Sequence, residues 1–325
     1  MKIQRIKFEL ILLLFAGLFT LAISGCGENP TTEGNQSDNE YLLELISQGL
    51  HSSYQNDEDL MTHESNDLDD SGAVGNDNYD NTIDSLYKWG RKVIDVNVNL
   101  NIADDGDSLK KVNITRTING NFIIIANVNG VLDTIVKPYT EVIKRYAVFK
   151  RISHSNRPRY NWQLCKISIA DGQTTAPQTG TDFVEINKVE VYVGNVLKYI
   201  FTGPDFTQNI FRTRNYDSQI PLVNTGDQVK IKVYTFSKQS DNDIVSWHWA
   251  KNDQGLHRLP FVMISSTPGG SGWNRVYERT FTIYNNHIIG RFNGFISAAT
   301  RKSLFDDSPS EFATDLVGIP YAVAP

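Results

Sequence analysis

Lys188-Val189-Glu190-Val191-Tyr192-Val193 and Asp227-Gln228-Val229-Lys230-Ile231-Lys232-Val233-Tyr234 decide the fold class. In both, valine or isoleucine takes every second position and charged or polar residues take the rest. That is the period of a strand with one face in a core and the other in water. Outward from these two, residues 196–201, 244–250, 259–265, 275–284, 290–298 and 317–323 are further strand candidates with turn residues between them. Seven or eight strands in one stretch suit a two-sheet sandwich. Pro309 opens a predicted short helix over residues 308–316.

Upstream, residues 171–182 hold Pro177 and Gly180 among Thr and Gln, with Gly172 at their start, and predict a linker. Before it, Ile83, Leu86, Tyr87 and Val93 fall at helical spacing with Trp89 beside them, behind an Asn81 cap, which predicts a helix over 82–94. Strands are expected at 94–102, 109–118, 122–128, 140–152 and 160–169. Asp104-Asp105-Gly106-Asp107, Asn119-Gly120 and Asn129-Gly130 supply antiparallel turns between the first of them.

Arg145-Tyr146-Ala147-Val148-Phe149-Lys150-Arg151 followed by Asn161-Trp162-Gln163-Leu164-Cys165-Lys166-Ile167 is similar to the last strand pair of the nuclear-transport-factor-2-like (NTF2-like) superfamily. The resemblance implies a curved antiparallel sheet with one or two helices, able to enclose a pocket. Some members place an Asp and a His in that pocket. Here the histidine of the region is His154, in a loop, so no catalytic residue carries over; Asp95 and Asn97 are the other polar groups to inspect. Asn224-Thr225-Gly226-Asp227 resembles the turn before a core strand in bacterial immunoglobulin-like modules. The expected architecture is therefore mainly β with an α+β N-terminal part: an NTF2-like domain over 81–170, the linker, and an immunoglobulin-like β-sandwich over 183–325.

The first residues carry a separate message. Lys2, Arg5 and Lys7 precede an apolar run over residues 10–22, too short to span a bilayer and of the length of an export signal. Ile23-Ser24-Gly25-Cys26 resembles the lipobox of bacterial lipoproteins, with Ile23 where leucine is commoner. The resemblance implies cleavage after residue 25 and acylation of Cys26, whose buried chain methylenes each contribute about 0.8 kcal/mol of membrane affinity. Gly27, in place of an aspartate, points to the outer membrane or cell surface rather than the inner membrane. Acylation leaves Cys165 as the last thiol of two, which excludes an internal disulfide and a four-thiolate zinc site. Alternation puts Cys165 with Ile167 and Ile169 on the core face, as a small buried hydrophobe.

Charge is unevenly spread. Residues 28–84 hold fifteen Asp and Glu and no Lys or Arg, whereas residues from 85 onward carry a net +7. The acidic stretch is poor in apolar residues, and residues 26–80 are expected to form a solvated tether. Within it, Tyr41, Leu42, Leu45 and Ile46 fall near helical spacing behind Asn39, which predicts a short amphipathic helix over 40–50 docked on the body and ended by Gly49. Asp67, Asp69 and Ser71, with Gly72 after them, follow the first half of a calcium loop, with Asp77 as a further ligand. Position 12 of such a loop is Asn78 rather than a bidentate glutamate, so an unoccupied acidic linker is the competing reading.

Lys144, Arg145, Lys150, Arg151, Arg157 and Arg159, interleaved with aromatic residues, form a candidate polyanion-binding face. The alternative is a solvated sheet face over aromatic core residues. For an exported protein the matching partners are an envelope protein or an acidic glycan, and no nucleic acid is expected. Trp247-His248-Trp249 places two tryptophans on one strand face and a histidine on the other, as a sugar platform or as core. Arg301-Lys302 and Asp306-Asp307 are expected to form a surface charge network. No nucleophile elbow, metal spacing or acid–base constellation emerges, and calcium is the one cofactor raised. The sequence thus predicts a lipid-anchored, non-enzymatic binding or structural module, with a pocket in the NTF2-like region, as carrier or enzyme, the alternative.

Overall fold

The computed structural model describes residues 36–48, 83–177, 183–213, 218–249 and 257–325. The chain enters through helix α1 (Asp38–Gln48), whose start is a capping box. The Glu40 amide donates to Ser37 Oγ at 3.2 Å, and the Ser37 amide donates to Glu40 Oε2 at 2.7 Å. Ser37 thus caps the helix where Asn39 was expected, and the Asn39 side chain accepts from Lys110 Nζ at 2.8 Å instead. Tyr41, Leu42 and Ile46 on the apolar face are buried in the body's main core, as the spacing predicts.

Three long antiparallel strands follow: β1 (Ile83–Asp105), β2 (Leu109–Val128) and β3 (Val131–Arg151), each of 20 residues or more. The Asn129-Gly130 turn closes the β2–β3 hairpin with both residues at positive φ, 52° and 79°, the geometry of a tight two-residue connection. The helix expected over 82–94 is instead the first half of β1. That strand shifts register at three places, between Ile83 and Ser85, Leu86 and Lys88, and Val93 and Asp95. Each irregularity moves the alternation by a residue, which is how a bulged strand imitates helical spacing. The turn expected at Asn119-Gly120 lies within β2. Gly120 sits opposite Tyr139, and a Cβ there would fall 2.6 Å from the tyrosine ring. The glycine makes room for an aromatic ring and does not turn the chain.

Strands β4 (Trp162–Ser168), β5 (Ala170–Ala176), β8 (Ile210–Arg212), β9 (Leu222–Asn224), β11 (Ile244–Trp249), β12 (His257–Pro260), β15 (Gly290–Ala299) and β16 (Thr314–Ala324) complete one sheet of eleven strands. Its main path runs β1-β2-β3-β5-β16-β15-β11-β12. The second sheet has five strands in the order β13-β14-β10-β6-β7, comprising β6 (Val184–Val193), β7 (Val196–Thr202), β10 (Gln228–Ser237), β13 (Val262–Gly269) and β14 (Gly272–Thr282). The protein is mainly β, with a curled antiparallel sheet and few helices.

Strand β5 falls in the expected linker, and it pairs with β3 on one side and β16 on the other. Backbone hydrogen bonds therefore join the two expected regions in one sheet. The small residue that suggested a linker lets the strands pack: a Cβ on Gly172 would approach Ile143 to 2.9 Å and Leu316 to 3.1 Å. In β4, Leu164 pairs with Phe149 and Lys166 with Val148, which leaves Cys165 as the extra residue of a bulge. Leu164, Ile167 and Ile169 are buried and Cys165 is half-buried, so the thiol is not on the core face as expected. Residues 308–313 are not helical; the short helix is α2 (Arg301–Phe305), and β16 begins at Thr314.

Two cores result. Val189, Ile231 and Val233 of the five-stranded sheet meet Ile296, Val317 and Ile319 of the larger one in the first. Phe122, Tyr139, Phe295, Leu304 and Phe312 form the second, under the curl of β1–β3. Each fully buried aliphatic or phenylalanine side chain contributes roughly 1.5–3 kcal/mol. β15 and β16 feed both cores, which is why their burial is continuous rather than alternating.

The interior also holds charges, each with a partner. Glu141 accepts from Arg91 at 3.2 Å and from Thr314 Oγ1 at 3.0 Å. Lys137 Nζ donates to the carbonyls of Lys302 and Glu311. Arg116 donates to the Ile46 carbonyl at 2.7 Å, tying α1 to β2, and burial lowers its pKa to about 10. Arg301 is buried over the Phe305 ring rather than part of a surface network, while Lys302 pairs with Glu311 at 3.7 Å.

Candidate functional site: an aromatic cavity between the sheets

A cavity of about 90 Å³ lies between the two sheets. Strand β11 builds its most distinctive wall. Alternation turns Trp247 and Trp249 to the same face, toward the cavity, while His248 points the other way. His248 stacks on Phe295 at 4.4 Å and shares a hydrogen bond with Ser297 Oγ at 2.8 Å. Burial holds it well below the usual histidine range, so it stays neutral. Gly294 on β15 pairs with Trp249, and a Cβ on it would overlap the Trp247 ring. A glycine at 294 thus leaves room for the Trp247 indole.

Opposite the tryptophans, Val191, Ile231 and Phe281 come from the five-stranded sheet, and Val223, Ile319 and Tyr321 close the sides. Tyr321 stacks on Phe292 at 5.5 Å and lies 6.0 Å from Trp247. Burial alone pushes its phenol above the usual tyrosine value, with no hydrogen bond contributing. Tyr199 Oη accepts from the Leu222 amide at 2.9 Å, fixing the position of that ring. At the mouth, Tyr284 is 65% exposed, and Ile288 and Ile289 beside it are also exposed. His287 Nδ1 meets the Ile288 carbonyl at 2.8 Å, which requires the proton on Nδ1 because a carbonyl only accepts.

The wall carries no carboxylate, lysine or arginine among the described residues. Such a lining offers flat rings, the hydroxyls of Thr282, Tyr284 and Tyr321, and the His287 imidazole at the mouth. No three side chains of metal-ligating type converge among the described residues.

The expected polyanion face does not assemble. Alternation along β3 sends Lys144 and Lys150 outward, about 20 Å apart, and Arg145 inward. Arg145 is buried against Asn293 Oδ1 at 3.0 Å and the Gly318 carbonyl at 3.4 Å, and burial lowers its pKa to about 9. Arg151 is held by Asp38 at 2.8 Å and stacks on Trp162. Arg157 and Arg159 are exposed, Arg159 over Tyr160. His154, Asp95 and Asn97 are exposed and apart from the cavity, and Phe122, Tyr139 and Phe312 fill the concave face of β1–β3. Cys26 and the calcium-loop candidates Asp67, Asp69, Ser71 and Asp77 lie outside the described residues.

The Trp247-His248-Trp249 alternation put both tryptophans on one face in the sequence, as a sugar platform or as core, while the pocket raised there lay in the NTF2-like region. Tyr199, His287 and Tyr321 carried no such signal, because only the packing of the sheets brings them to the same place. No protein-family model, curated protein or solved structure matches this chain.

Proposed function

We propose that this chain is an exported lipoprotein, anchored through acylated Cys26 at the outer membrane or cell surface, whose body is a non-enzymatic receptor for a small apolar molecule. The anchoring half of the reading rests on the basic, apolar and Ile23-Ser24-Gly25-Cys26 succession. The receptor half rests on one observation: an aromatic cavity open at Tyr284 and lined almost wholly by apolar side chains. An exposed apolar recess of this kind costs solvation free energy unless it is used.

For the finer fold, an immunoglobulin-like reading of residues 183–325 is supported by the five-stranded sheet packed face to face on β15 and β16. An NTF2-like reading of residues 81–170 keeps the curl of β1–β3 in its favour and lacks the opening helix.

Isothermal titration calorimetry of the full-length protein with toluene tests the receptor reading. Saturable one-site binding is expected, and Val223→Phe, which puts a ring into the cavity, abolishes it. Absence of binding to the unsubstituted protein, or equal binding to the variant, refutes the reading.

A further inference from the structure

The Tyr321 hydroxyl lines the cavity and has no hydrogen-bond partner among the described residues, in contrast to Tyr199, whose oxygen is already engaged by the Leu222 amide. The oxygen is still reached by water, so a ligand that enters must bond it in water's place or leave it unpaired at a cost. The remaining features of the wall restrict what such a ligand is. An apolar cavity of about 150 Å³ takes one benzene ring, so a cavity of about 90 Å³ encloses only part of a flat ring, the rest lying in the open mouth. With no carboxylate, lysine or arginine in the lining, a neutral ligand is favoured over an ionised one, whose charge would lose hydration with no opposite charge to replace it. Trp247, Trp249 and Phe281 supply ring faces and edges, which favour aromatic over branched aliphatic guests.

We infer that the cavity selects a small neutral aromatic molecule bearing one hydroxyl-type group, the ring packed on the tryptophan wall and the polar group hydrogen-bonded to Tyr321. The inference rests on the receptor reading above and adds a ligand class and a specificity-determining residue to it. Tyr321 discriminates between phenol-like and purely hydrocarbon guests of equal shape.

The test is calorimetry with p-cresol and toluene, guests differing by one hydroxyl, on the full-length protein and on Tyr321→Phe. Comparing the ratio of the two affinities between proteins cancels the difference in hydration of the guests. Tyr321→Phe is expected to lower the p-cresol to toluene affinity ratio about fivefold, with toluene binding retained, which also reports an intact cavity. An unchanged ratio with both guests bound overturns the role of Tyr321 and leaves the receptor reading standing. Failure of both guests to bind the unsubstituted protein overturns the receptor reading and this inference with it.

Discussion

Arg275 on β14 and Asp243, just before β11, form an ion pair at 3.1 Å with both side chains wholly buried. Tyr277 closes the group: its hydroxyl donates to Asp243 Oδ2 at 3.2 Å and accepts from the Asp243 amide at 2.9 Å. Arg275 also donates to the carbonyls of Gln239 and Ser240. The cluster thereby holds the crossover by which the chain leaves the five-stranded sheet and enters β11, the strand that carries Trp247 and Trp249.

Burial, outweighing the arginine, raises the pKa of the Asp243 carboxyl. Removing the arginine alone leaves that carboxyl uncompensated, and breaking such a pair costs about 3–5 kcal/mol. Arg275→Met is therefore expected to lower the urea midpoint sharply, whereas Arg275→Met with Asp243→Leu recovers a large part of the loss. Equal midpoints for the single and double variants would remove the ion pair from the account.

Helix α1 is integral to the body. Leu42 is fully buried in the main core, and Arg116 and Arg151 bond the helix at Ile46 and Asp38. Leu42→Ala is expected to cost about 2–5 kcal/mol in equilibrium denaturation. A change below 0.5 kcal/mol, roughly the scale of a surface substitution, would show that the helix is undocked in solution.

The pH dependence has a definite sign. The Asp171 pKa is raised to about 6, first by burial and then by the nearby charge of Asp205, with Lys144 opposing and Glu185 adding the smallest push. Burial also raises that of Asp315 well above the usual carboxylate range. A folded-state value above the unfolded one means that the protonated acid is the favoured native form. That stability is fully present below about pH 4 and is lost as the pH rises through about 6. Melting temperature should therefore fall less between pH 5 and pH 7.5, values chosen to bracket the Asp171 pKa of about 6, in Asp171→Asn than in the unsubstituted protein. Parallel profiles would contradict the assignment.

The alternation of Val189 to Val193 and Val229 to Val233 was sufficient to place β6 and β10 and their inner faces. The β-rich class was equally legible, since it depends on local period. Reading failed where tertiary packing reassigned a local signal. Bulges gave β1 the spacing of a helix, and Gly120 is a glycine on account of Tyr139, nineteen residues away. Arg145 looked like surface because its partners, Asn293 and Gly318, lie on β15 and β16. The cavity was half legible for the same reason: its tryptophans are neighbours in sequence, and Tyr199 and Tyr321 are neighbours only across the two sheets.

Occupancy of that cavity can be followed by methyl-labelled NMR during a toluene titration. Saturable shifts are expected, confined to the methyls of Val191, Val223, Ile231 and Ile319, with the exposed Val131 and Val262 unmoved. Shifts that never saturate, or that appear at Val131 and Val262 as strongly as at Ile319, would contradict it.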